Sequence, residues 1–168
     1  MKNNSAKTVA LGGVLAALAV VIMCMGTLIP VATFVCPMLC MMILQLVRSL
    51  CGDRIAWAWY GAVAILGVLM APDKEAAAVF AFLGYYPIIK PKLDRLPLPL
   101  LWKLLLFNAA ILLMYWLLLS VFGMTDLGDE FSDLGIAFTA VLLLMGNVIF
   151  ILLDVLLGRR LVRKPHGR

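Results

Sequence analysis

Charge is scarce in this chain, and so is the chemistry that depends on it. Asp, Glu, Lys and Arg supply 14% of the 168 residues against 65% hydrophobic ones, too few to cover a globular domain with a mixed surface and keep it in water. Histidine occurs once, as His166 in the basic tail. No Ser/His/Asp or Cys/His set is present, nor any pair of intramembrane carboxylates, so neither hydrolysis nor proton-driven antiport is indicated. A glycine-rich phosphate loop with its lysine is missing, which excludes ATP hydrolysis by the chain itself. The expectation is a protein that is not an enzyme and carries no cofactor. The basic residues lack an aromatic-laced basic face, which disfavours nucleic acid as a partner. Cys24, Cys36, Cys40 and Cys51 lie in or beside apolar runs, where thiols behave as small hydrophobes and no disulfide framework is implied.

What is abundant is uninterrupted apolar sequence. Thr8 to Ile29, Val31 to Val47, Ile55 to Ala71, Ala76 to Ile89, Leu104 to Phe122 and Gly135 to Leu153 carry no charge, and most approach the ~20 residues that a helix needs to cross ~30 Å of hydrocarbon. The pattern predicts an all-α membrane protein, a six-transmembrane-helix bundle forming one domain over residues 1–168. Its spans are expected at about 8–29, 31–47, 55–71, 73–90, 100–122 and 135–157. The fourth uncharged run is short, so its helix must start near Asp73 and reach Lys90, or sit partly inside the bundle. The first run follows Lys2 and Lys7 like a signal peptide, but it is too long for one and reads as a retained span.

Of the fourteen Lys and Arg residues, the alternation of six spans puts Lys2, Lys7, Arg48, Arg54, Lys90, Lys92, Arg95, Lys103, Arg159, Arg160, Arg163, Lys164 and Arg168 on one side, and Lys74 alone on the other. Cations flanking spans are retained in the cytoplasm, so both termini are expected there. Attraction to anionic lipid headgroups is a by-product of the same asymmetry. Acids gather opposite, at Asp73, Glu75, Asp126, Asp129, Glu130 and Asp133.

Several residues stand out against this frame. In the first span Gly12 lies over Ala16 and Gly13 over Ala17, two small-xxx-small pairs that let another helix approach, whether of this chain or of a partner. Between spans three and four, Pro72 and Asp73 suit a turn into a helix N-cap, and Asp73 and Glu75 complement the positive end of span four. Lys74 is not explained by capping and is the outside cation available to an anionic solute. Asn147 and Asp154 share a helix face, and Asp154 is placed to pair with Arg159 or Arg160. Asn108 and Asn147 suit either an interhelical hydrogen bond or a ligand contact. Trp57, Trp59, Tyr60, Tyr85, Tyr86 and Trp102 fit an interfacial belt, whereas Tyr115 and Trp116 lie deeper and suit packing or stacking on a planar solute. Cys36 and Cys40 with the neighbouring methionines put soft sulfur on one helix face, which fits gap-filling better than a Cu(I)-like ion. Pro37 is placed to kink span two.

A short basic N-terminus, a first helix with glycine and alanine pairs, six spans in so short a chain and a polar loop after span three together resemble the substrate-binding S component of energy-coupling-factor (ECF) transporters. The resemblance implies that Gly12, Gly13, Ala16 and Ala17 dock on a transmembrane T component driven by two cytoplasmic ATPase subunits. It implies capture of a vitamin or other micronutrient near the outer surface by Asp73, Lys74 and Glu75, with Tyr115, Trp116 and Asn147 as walls. The location implied is the bacterial plasma membrane, as a multi-pass protein. Two other readings remain. One is a non-transporting envelope scaffold similar to the rod-shape-determining MreD proteins. The other is a small stand-alone transporter, although no internal repeat with broken helices is evident.

Overall fold

The computed structural model describes residues 2–25, 32–120, 140–141 and 143–158. Among them there is no strand. The helices are α1 (Lys2–Cys24), α2 (Ala32–Cys51), α3 (Asp53–Met70), α4 (Lys74–Leu83), α5 (Tyr86–Leu93) and α6 (Pro99–Ser120), followed by α7 (Leu143–Gly158). Four stretches are long and apolar enough to cross a membrane, namely Ala6–Cys24, Thr33–Cys51, Asp53–Met70 and Pro99–Ser120. This is the architecture of a membrane protein. The outward faces agree: Val9, Val14 and Val21 on α1, Ile65 and Leu69 on α3, and Leu105 and Leu112 on α6 are all exposed. Such surface would drive aggregation in water and is matched to hydrocarbon.

Helix ends and apolar-run ends do not coincide. α1 starts at Lys2 and α2 continues through Cys51, each beyond the uncharged run that marks it. Lys, Arg and Ser interrupt hydropathy without interrupting backbone hydrogen bonding, and long cationic side chains reach back to the interface while the helix goes on. α2 also runs on past Pro37.

The fourth expected span departs further. It is two short helices, of ten and eight residues, rather than one from 73 to 90. The physical reason is Pro87, which has no N–H to bond the Leu83 carbonyl and whose ring crowds that turn. The Gly84 N–H still bonds the Phe80 carbonyl at 2.7 Å, and beyond it the Tyr85 carbonyl takes a tighter contact from the Ile88 N–H at 2.9 Å as well as the Ile89 N–H at 3.4 Å. The Tyr60 hydroxyl donates to the Ala81 carbonyl in the last turn of α4. A side chain at residue 84 would collide with the Phe80 carbonyl oxygen and come within 2.9 Å of its ring. Gly84→Ala should therefore lower stability by about 1–3 kcal/mol, read by denaturant titration in detergent. An unchanged midpoint would mean that this junction relaxes freely.

The chain forms two compact units, Met1–Pro99 and Leu100–Arg168. In the first, α2 is central and packs on α1, α3, α4 and α5, while α1 and α4 also pack on α3. Ala19 and Met23 of α1, Cys40 and Leu44 of α2, Val63 of α3 and Phe80 of α4 are fully buried there. The Met23 Cε fills the space beside Gly67, 2.8 Å from where a Cβ at that position would sit. In the second unit α6 and α7 run antiparallel. Lys103, Phe107 and Asn108 meet Asp154, Phe150 and Asn147 respectively. The buried residues of α6, Lys103, Phe107, Ala110, Met114 and Leu118, recur at the three- and four-residue spacing of a single helix face.

Candidate functional site

The polar segment after α3 is built from the needs of two helix ends. Asp73 is the N-cap of α4, its Oδ1 accepting the Ala76 N–H at 3.0 Å. Its Oδ2 accepts the Thr33 hydroxyl at 2.8 Å, tying α2 to the start of α4. Lys74 does cap, contrary to the sequence expectation, but it caps the helix before it. Its Nζ donates to the carbonyls of Val68 and Ala71, both at 2.9 Å. Val68 would ordinarily receive the N–H of the residue four further on, which is Pro72 and has none. The ammonium takes that place and complements the negative end of α3. Glu75 lies in the first turn of α4, where a carboxylate is favoured.

The mirror arrangement stands at the opposite end of the first unit. Pro91 follows Pro87 by four residues, so the Pro87 carbonyl loses its helical donor. Arg48 supplies one, with Nη1 at 2.8 Å from that oxygen, while its Nε holds Asp53 Oδ1 at 2.6 Å. One side chain of α2 thus joins the start of α3 to α5. Lys90, itself buried, lies 3.9 Å from Asp94. Cys51 Sγ meets the Thr8 carbonyl at 3.7 Å, bringing the beginning of α1 to the same end. Sequence reasoning did not single out Arg48. The usable signal was the proline pair at a four-residue spacing.

In the second unit the two amides close on each other. Asn108 Nδ2 donates to Asn147 Oδ1 at 3.0 Å and Asn147 Nδ2 to Asn108 Oδ1 at 3.1 Å. Each also donates to the carbonyl one turn earlier in its own helix, Leu104 or Leu143, both at 2.8 Å. Of the two uses open to these residues, the structure shows the interhelical one. Asp154 pairs with Lys103 at 2.9 Å, with only 17% and 7% of the two side chains exposed. Lys103 is a partner that the sequence did not indicate; Arg159 and Arg160, the expected partners, lie outside the described residues. The Phe107 and Phe150 rings stack between the two polar pairs, centroids 4.7 Å apart, with Phe107 also against Gly146. Trp116 is 62% exposed and Tyr115 is half-buried. Asp73, Lys74 and Glu75 belong to the first unit, and Tyr115, Trp116 and Asn147 to the second.

The small residues of α1 divide between two faces. Gly12 is buried and its carbonyl accepts the indole N–H of Trp59 at 3.1 Å. Trp59 is therefore an internal residue of the bundle, not part of an interfacial belt. Ala16 is half-buried on that side, whereas Gly13 and Ala17 are exposed. Trp57 keeps an exposed position and stacks on Tyr85, which also meets Tyr60 edge-on. Cys40 Sγ lies 3.5 Å from the Ala19 carbonyl, and Cys36 is buried near it on α2. Among the described residues no group of three or more His, Cys, Asp or Glu gathers as a metal site would require. No family model, curated protein or solved structure matches the chain.

Proposed function

We propose that the chain is a multi-pass protein of the bacterial plasma membrane, with six spans and cytoplasmic termini. We further propose that it serves as the solute-binding subunit of an ECF-type uptake transporter for a vitamin or other micronutrient. A T component and two ATPase subunits would supply the energy. Orientation is supported by the segregation of cations in the first unit. Contacts of Thr8 with Cys51 and of Arg48 with Asp53 and Pro87 gather Lys7, Arg54, Lys90 and Lys92 toward one end, while Lys74 lies at the other with Thr33 and Asp73. Positive residues flanking spans face the cytoplasm.

The observation that carries the subunit reading is on α1, which packs its Gly12 face internally and leaves Gly13 and Ala17 exposed. In lipid, where oily surface alone does not bring helices together, a bare Gly-xxx-Ala strip is suited to a close backbone approach by another helix. Gly13→Leu combined with Ala17→Leu should fold normally, because a side chain added at residue 13 meets nothing within 4 Å. The variant should lose its co-purifying partners. Affinity purification from the native membrane with mass spectrometry reads both proteins and bound small molecules. Recovery of ATPase subunits with the wild type, and not with the variant, is the expected result, and equal recovery would remove the reason for assigning that face.

A specific observation favours the scaffold as the second reading. Asp73, Lys74 and Asn147 all hold structural hydrogen bonds, as they would in a closed bundle that holds partners and captures no solute. Cell-wall or division proteins in the same purification would decide for it.

A further inference from the structure

We propose that the end of the first unit where the α2–α3 turn meets α5 binds the phosphodiester headgroup of an anionic phospholipid, with Arg54, Lys92 and Arg95 as its ligands. The proposal rests on the membrane reading and not on solute transport. Residues 48–54 and 90–95 hold five cations and two acids. Both acids are taken by the inner cations, Asp53 by Arg48 at 2.6 Å and Asp94 by buried Lys90 at 3.9 Å. Arg54, Lys92 and Arg95 are exposed, and among the described residues no side-chain hydrogen bond engages them, although the Lys92 charge also helps, after Arg48, to hold Asp53 ionised.

The fold ties together the two segments that carry them. Arg48 bonds the residue beside Arg54 and also the Pro87 carbonyl at 2.8 Å, and the Arg95 N–H bonds the Lys92 carbonyl at 3.2 Å, keeping those two within one turn. Exposed apolar side chains flank the charges: Leu50 and Trp57 by Arg54, Leu96 and Leu98 by Arg95. A cationic cluster edged by Leu and Trp complements a ligand with a phosphate at one end and hydrocarbon at the other, and tryptophan favours the headgroup level. Juxtamembrane Lys and Arg residues each add to the attraction for anionic lipid. Arginine contributes paired N–H donors to phosphate oxygens.

The test is native mass spectrometry of the full chain released from detergent after equilibration with equal phosphatidylglycerol and phosphatidylcholine. The wild type should retain phosphatidylglycerol in preference by on the order of tenfold or more, in keeping with three cations acting together. The variant Arg54→Gln, Lys92→Gln, Arg95→Gln should bring that ratio near unity. A charge-matched control, Arg159→Gln, Arg160→Gln, Arg163→Gln, should keep it, as should Arg54→Lys with Arg95→Lys. Preference surviving in the first variant, or lost equally in the tail control, would overturn the site. Complete displacement of the lipid by low-millimolar inorganic phosphate would overturn its assignment to a lipid. Retention of neither lipid by the wild type would remove the membrane reading, and this site with it.

Discussion

Replacing Asp154 by Leu should destabilise the α6–α7 pair by about 3–5 kcal/mol, because it breaks a buried ion pair by removing the carboxylate 2.9 Å from the Lys103 ammonium, whose side chain is 7% exposed. Two unit charges in so dry a place are not strongly stabilising as a pair, since much of their attraction only offsets the loss of hydration. The asymmetry is the informative part. The double variant Lys103→Met, Asp154→Leu should recover most of the loss, because it removes the buried charges together and keeps apolar volume. Unfolding curves in mixed micelles for the four proteins of the cycle give the coupling directly. If the double variant were as unstable as the sum of the singles, the pair would not be the unit that these distances imply.

Arg48→Met is the second large effect, at about 2–3 kcal/mol, from the loss of charge-assisted hydrogen bonds. The two bonds of Arg48 do not weigh equally. Asp53 is 67% exposed on its side chain, and an exposed pair is worth about 0–1 kcal/mol. The Pro87 carbonyl has no helical donor to fall back on, so it should account for most of the change. Asp53→Asn should accordingly alter stability by less than about 1 kcal/mol. Hydrogen exchange in α5 should rise in the Arg48 variant and stay near wild type in the Asp53 variant. Equal effects of the two substitutions would assign the stabilisation to the ion pair.

How far such roles could be read in advance depended on whether their cause was local. The uncharged runs marked α1, α2, α3 and α6 to within about two turns, because lipid imposes one hydropathy rule on every span. The break at Gly84 and Tyr85 was written in Pro87, but an apolar run conceals a proline when only charge is used to cut it. Lys74 was assigned to a solute for want of a capping role. Pro72 held the answer, since a residue without an N–H orphans the carbonyl four positions earlier, and a lysine two positions on can fill it. The Asn108 and Asn147 contact, the Trp59 bond to Gly12 and the Lys103 ion pair depend on register between helices distant in sequence. Residue type restricted those partners without choosing among them. The division of Gly12 from Gly13 was likewise a matter of which way α1 turned on α2 and α3.

The account turns on lipid as the solvent and on its basic end facing the cytoplasm. The most direct measurement is accessibility of single cysteines, introduced at Arg95 and at Asp129 in a background without Cys24, Cys36, Cys40 and Cys51, to a membrane-impermeant maleimide in intact and in permeabilised cells. The account predicts labelling at residue 129 in intact cells and at residue 95 only after permeabilisation. Labelling of residue 95 from outside, or of residue 129 only from within, would contradict it.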